Sequence, residues 1–125
     1  MRYRLWRLEK SRQMIGSGVI VDGRIYVVDN NGIAECLELE TGKVAWTERL
    51  RGAGEDRGVW SSVVLNDGRL YVMNKSAETF VWKAGAVFEP LGVNLLGEPA
   101  NSSLVISEGE IFLRTHEALW KIGRR

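Results

Sequence analysis

The chain repeats itself, and no other feature narrows its fold so far. Residues 16–30 read GSGVIVDGRIYVVDN, residues 60–74 read WSSVVLNDGRLYVMN, and residues 101–115 read NSSLVISEGEIFLRT. Ser17, Ser62 and Ser103 correspond, at separations of 45 and 41 residues. Gly23, Gly68 and Gly109 keep the same two separations, as do Tyr26, Tyr71 and Phe112. Three kinds of position agreeing on two offsets are hard to obtain by chance.

Each copy reads as a β-hairpin. A short apolar run (Val19 to Val21, Val63 to Leu65, Leu104 to Ile106) meets Asp-Gly, Asp-Gly or Glu-Gly, and a second β-rich run follows (Arg24 to Val28, Arg69 to Met73, Glu110 to Arg114). Such two-residue turns need positive φ, which glycine adopts at little steric cost. Asp22, Asp67 and Glu108, which precede the glycines, are read as turn residues. Helix competes poorly with short β-branched runs broken by glycine.

Further strands complete each unit. In the first, Ile33 to Leu39 and Lys43 to Leu50 flank a Glu-Thr-Gly turn. In the second, Glu78 to Lys83 and Val87 to Val93 take those places around Ala84-Gly85. In the third, Ala118 to Ile122 is the last strand before the chain ends. Four short antiparallel strands per roughly 40–45 residues is the pattern of a propeller blade. The missing twelfth strand has a candidate at the other end of the chain: Tyr3 to Glu9 matches Lys43 to Leu50, with Trp6 in the place of Trp46. The expected fold is therefore all-β, a partial propeller of about three blades within a single domain. Residues 1–12 form an outer strand, 13–52 blade one, 59–97 blade two and 100–125 an incomplete blade three.

The run Leu37-Glu-Leu-Glu-Thr-Gly-Lys-Val-Ala-Trp46 resembles the L-x-x-x-T-G-K-x-x-W motif of pyrroloquinoline-quinone-like (PQQ-like) propeller repeats. That superfamily holds the quinoprotein dehydrogenases and the outer-membrane assembly lipoproteins. The resemblance covers essentially the whole chain. It is strongest toward the C-terminal blades of bacterial members, where endings like Gly-Glu-Pro…Ser-Ser…Glu-Ile-Phe-Leu-Arg-Thr-His-Glu-Ala-Leu-Trp-Lys-Ile-Gly occur. Unit one carries the motif in full, whereas unit two reads Lys83-Ala-Gly-Ala-Val-Phe88 there. The expected structural blade residues are Thr41, Gly42, Trp46, Trp6, Gly23, Gly68 and Gly109. Thr41-Gly42 turns the chain, and Trp46 and Trp6 present flat rings for packing between blades. Trp60, Trp82 and Trp120 are read as lying partly in blade faces and partly on unfilled edges.

Chemistry is sparse. The quinone enzymes of the superfamily, by that resemblance, use an axial cofactor with calcium, a catalytic Asp and a vicinal disulfide, enclosed by about eight blades. One cysteine, Cys36, makes such a disulfide impossible, and its plain reading is a small buried hydrophobe. One histidine, His116, leaves metal sites and most triads without partners, and it is read as a turn residue. Asp29-Asn30-Asn31-Gly32 lacks the spacing of a calcium loop and is read as a connection between strands. No catalytic residue, cofactor or metal site is expected, so the chain is not expected to be an enzyme.

Partners are constrained by charge. Seventeen Lys and Arg against sixteen Asp and Glu leave a net charge of +1, which gives no general case for nucleic acid. The basic residues crowd at the two ends, which is read as a charged edge that discourages aggregation, with an anionic partner as the sharper reading. No run approaches the roughly 18 apolar residues of a membrane helix, and the basic start MRYRLWRLEKSRQ, with no apolar stretch after its charges, is not read as a secretory signal. The resemblance implies a periplasmic or otherwise extracytoplasmic bacterial parent. The connector around Arg51, Glu55, Asp56 and Arg57 is the candidate partner-contact loop.

Three blades make an arc with open end faces. Either further blades of a longer propeller cover them, or copies assemble. A head-to-tail dimer closes six blades, with Tyr3 to Glu9 of one copy completing blade three of the other. The function expected is a noncatalytic module for protein interaction or scaffolding. The alternatives are an inactive portion of a quinoprotein-like dehydrogenase and a propeller that binds a small ligand or glycan.

Overall fold

The computed structural model describes residues 6–7, 13–54 and 56–123. Turn chemistry explains why its hairpins close. Both central residues have positive φ at each one: Asp22 at 48° and Gly23 at 76°, Asp67 at 51° and Gly68 at 70°, Glu108 at 50° and Gly109 at 76°. This is type I′ geometry, whose twist matches that of the strands it joins. Asp tolerates the left-handed region better than Glu, so the third turn is the least favourable of the three.

Eleven strands follow from these turns among the described residues. Blade one holds β1 (Val19–Val21), β2 (Arg24–Val28), β3 (Ile33–Glu38) and β4 (Val44–Arg49), antiparallel in that order. Blade two holds β5 (Val64–Asn66), β6 (Arg69–Met73), β7 (Glu78–Lys83) and β8 (Glu89–Leu95). Blade three holds β9 (Val105–Ser107), β10 (Glu110–Arg114) and β11 (Leu119–Ile122), with β10 in the middle. The architecture is all-β, three antiparallel sheets of four, four and three strands, with no helix among the described residues. The last strand of blade two starts two residues later than the pattern predicts, because the connection after β7 runs through 84–88 and not through a two-residue turn. The strand expected over Tyr3 to Glu9 lies mostly outside the described residues; of it, Trp6 and Arg7 are placed.

Apolar residues alternate along the strands, so each blade presents one face to each neighbour. Tyr26, Val28, Ala34 and Cys36 of blade one meet Leu70, Val72, Phe80 and Trp82 of blade two in one core. Each fully buried Leu or Val there contributes about 1.5–3 kcal/mol relative to exposure. A second core joins blades two and three through Met73, Ala77, Ala100, Leu104 and Leu113. Every residue of β8 is exposed, as are all but Trp46 in β4, which marks these as the outermost strands. The ladders keep the same register in both complete blades. Tyr26 pairs with Cys36 and Cys36 with Trp46, while Tyr71 pairs with Val81 and Val81 with Gly92. A bulge follows Cys36 in one blade and Val81 in the other.

Candidate functional site

The seams between blades are where the sequence-predicted residues gather. In the seam between blades one and two, Trp46 lies 4.9 Å from Phe88, 6.2 Å from Tyr26 and 6.3 Å from Trp82, ring centre to ring centre. Its indole N–H donates to the Gly85 carbonyl at 3.1 Å. The Cys36 thiol donates to the same oxygen at 3.9 Å, and the Tyr26 hydroxyl accepts from the Gly85 N–H at 2.8 Å. Burial pushes the pKa of both Tyr26 and Cys36 up, so both stay protonated at neutral pH. Cys36 is fully buried.

Trp6 docks on blade one in a corresponding way. Its indole N–H donates to the Leu39 carbonyl at 2.7 Å. Its ring lies over Gly42, where an added Cβ would stand 2.5 Å from a ring carbon, and Gly42 also has φ of +75°. Two independent reasons therefore require glycine at 42. Gly23, Gly68 and Gly109 have a single reason, positive φ, with open space around each. Thr41 caps its turn by accepting the Lys43 N–H at 3.2 Å.

A second seam runs along the inner strands. The Ser17 N–H donates to Ser62 Oγ, and the Ser62 N–H donates to Ser103 Oγ, both at 2.8 Å. The repeated serines thus link each blade to the next. A third repeat escaped the sequence reading. Asp29 Oδ1 accepts the N–H groups of Asn31 and Ile33, Asn74 Oδ1 those of Ser76 and Glu78, and Thr115 Oγ1 those of Glu117 and Ala118. These residues share the 45- and 41-residue offsets, which was the available signal. Their chemical variety (Asp, Asn, Thr) concealed it. Asp29 thus holds a turn within the Asp29-Asn30-Asn31-Gly32 connection.

The loop around Arg51, Asp56 and Arg57 is hydrogen-bonded to blade two; Glu55 lies outside the described residues. Gly54 N–H donates to the buried carboxylate of Glu78 at 3.1 Å, and Gly52 lies against that carboxylate with no room for a Cβ. Asn74 Nδ2 donates to Glu78 at 2.9 Å, and Asp56 N–H to Ser76 Oγ at 3.0 Å. Arg51, Asp56 and Arg57 are exposed. Asp56 lines a cleft of ≈ 460 Å³ with Lys75, Ser76, Glu98 and Pro99. Beside it, Lys75 sits 3.8 Å over the half-exposed ring of Trp60.

The remaining polar residues serve local structure. His116 is exposed in the turn after β10, its N–H donating to the Pro99 carbonyl. Glu98 accepts the Trp120 indole N–H at 2.6 Å. A hydrogen bond donated to Glu98, and then the charge of Glu98, push the pKa of the neighbouring Glu117 carboxyl up. Trp82 is in the core. Among the described residues no group of three His, Cys, Asp or Glu could hold a metal, and no helix is long and apolar enough to cross a membrane.

No family model matches the chain, and no curated protein matches it. Solved structures do. BamB from Moraxella catarrhalis superposes with a TM-score of 0.76 at 13% identity, over 96% of this chain and 38% of that one. The quinohemoprotein alcohol dehydrogenase from Comamonas testosteroni gives 0.63 at 20% identity, over 84% of this chain and 17% of that one. The quinohemoprotein alcohol dehydrogenase ADHIIG from Pseudomonas putida HK5 gives 0.66 at 14% identity, over 86% and 17%. The chain thus spans well under half the length of each of these three structures. At these identities the likeness establishes the fold alone, part of a β-propeller.

Proposed function

Starting from a partial PQQ-like propeller, the fold it shares with BamB and the quinohemoprotein alcohol dehydrogenases, we propose that this chain is a noncatalytic blade module. It acts as a scaffold for protein interaction once its ring is closed, and a second copy joined head to tail closes it at six blades.

The observation that carries this reading is a seam with two free ends. Blade-to-blade donation runs from Ser17 to Ser62 and from Ser62 to Ser103. Among the described residues the Ser103 N–H has no acceptor and Ser17 Oγ has no donor. These two groups are complementary, and in a head-to-tail pair each copy's Ser103 meets the other's Ser17. Trp6 supports the same closure: it is seated on blade one as Trp46 is on blade two, the place of an outer-strand tryptophan from a preceding blade. Among the described residues blade three has no outer strand, and β11 offers one an open edge. The end blades also expose apolar side chains that closure would cover: Ile20 on blade one, Val105 and Leu119 on blade three.

The exposed loop at Arg51, Asp56 and Arg57, beside the Lys75-lined cleft, is the surface proposed for a protein partner. The test is absolute mass by light scattering over a concentration series. Twice 14.1 kDa, reverting toward one copy when residues 1–12 are removed, supports the ring. A monomer at all concentrations overturns it.

A further inference from the structure

Blade two carries glycine where blade one carries its docking tryptophan. The ladders settle the equivalence: Tyr26, Cys36 and Trp46 stand side by side across blade one, and Tyr71, Val81 and Gly92 stand side by side across blade two, with the bulge at the same step. Space opens as a result. A Cβ built on Gly92 meets nothing within 4 Å. A cleft of ≈ 590 Å³, open to solvent, lies between blades two and three, lined by Tyr71, Val81, Gly92, Ile111, Ile122 and Arg69 among others. Its size falls within the range of small-molecule sites.

The polar groups that are paired in the first seam are unpaired here. Arg24 has Glu38 at 3.4 Å, whereas the corresponding Arg69 stands opposite Lys83 in the ladder and has no anion among the described residues. The Tyr26 hydroxyl bonds to Gly85, whereas the Tyr71 hydroxyl has no partner among the described residues. At these neighbouring positions the seam between blades two and three thus lacks the docking ring, the anion and the hydrogen-bonding group of the first.

We propose that the cleft between blades two and three binds a small aromatic carboxylate. The ring takes the place that Trp46 fills in the first seam, between Tyr71 and the apolar side chains of Ile111 and Ile122. The carboxylate takes the place of Glu38, on Arg69, with the Tyr71 hydroxyl as a second donor. Flat aromatic shape follows from the first seam, which displays an indole seated among these same positions. Negative charge follows from Arg69, a cation on the lining of the cleft with no anion paired to it among the described residues.

The probe pair is indole-3-acetate and neutral indole, titrated into the full chain and followed by calorimetry and by backbone amide NMR shifts. Indole-3-acetate should bind at about 1 mM or tighter and shift amides of β8, β10 and β11. Indole should bind about tenfold more weakly. Gly92→Trp supplies the missing ring from within. Because Gly92 has free space and φ outside the left-handed region, this variant should abolish binding and raise Tm. Arg69→Gln keeps the cleft intact, and should cut affinity for indole-3-acetate about tenfold while leaving indole unchanged. This second variant holds the test open if the tryptophan variant misfolds. No binding of either probe at about 10 mM, shifts confined to other blades, or affinity for indole-3-acetate unaltered by Arg69→Gln would each overturn the proposal.

Discussion

Replacing Trp46 by alanine tests whether the seam between blades one and two holds the fold together. Trp46 is half-buried, touches three aromatic rings and donates one hydrogen bond to Gly85. Removing a large aromatic side chain from a packed site costs about 3–5 kcal/mol, and partial exposure puts Trp46 at the low end, ~3 kcal/mol. About 1 kcal/mol of that belongs to the hydrogen bond, so Trp46→Phe should cost ~1–1.5 kcal/mol. Against a total stability of about 5–15 kcal/mol, the alanine variant loses a sizeable fraction. Urea unfolding at fixed protein concentration reads this directly. With a slope of about 2 kcal/mol per molar urea, the midpoint should fall by ~1.5 M with the slope unchanged. The nearest contact, to Phe88 at 4.9 Å, adds a sharper criterion. A double-mutant cycle of Trp46→Ala with Phe88→Ala should give a coupling of about 0.5–1.5 kcal/mol. A loss below about 1 kcal/mol for Trp46→Ala, or strict additivity with Phe88→Ala, would refute the view that this ring locks the blades.

Gly42→Ala should cost ~2 kcal/mol or more, from positive φ together with displacement of the Trp6 ring, while Gly23→Ala should cost only ~1 kcal/mol; equal losses by urea unfolding would dismiss the contact with Trp6. Cys36 should react with a thiol reagent only as fast as the protein opens, because burial both hides the thiol and raises its pKa; rapid reaction of the native protein contradicts this. Glu117 has a raised pKa in the folded state, so the folded protein holds its proton more firmly than the unfolded chain does. Its stabilising contribution is therefore full at acidic pH and is lost as pH rises through the raised value. Glu117→Gln should flatten the stability profile over that window, and an unchanged slope would show that the Glu98–Glu117 contact does not titrate.

Much of the blade architecture is legible in the chain. The hairpins follow from Asp-Gly and Glu-Gly between apolar runs, and the observed φ values at Asp22, Asp67 and Glu108 are those that such turns demand. The strands β2, β6, β7 and β10 begin and end where the residue pattern puts them. The start of β8 was not legible, because the connection after β7 runs on through 84–88, beyond the Ala84-Gly85 turn that the pattern suggests. The pairing across that turn also shifts by one, Glu38 meeting Lys43 but Lys83 meeting Glu89, so Gly92 and its equivalent Trp46 lie 46 residues apart and not 45. Gly92 therefore reads, in sequence, as an ordinary weak point in a strand. The buried Glu78 was missed as well, since an acid in a β-run is normally solvent-facing, and only the approach of Gly52 and Gly54 makes its place inside.

What the sequence determines by itself is local. Positive φ at a turn and the alternation of side chains along a strand depend on residues one to three positions apart, so they are written in consecutive letters. What the tertiary structure alone decided is which side chains meet across a seam. The donation from Ser17 to Ser62, the seat of Trp6 on Gly42 and the empty space at Gly92 all depend on how one sheet stacks on the next. Repetition announces that such contacts recur, but a missing side chain becomes a cleft only when two packed faces surround it.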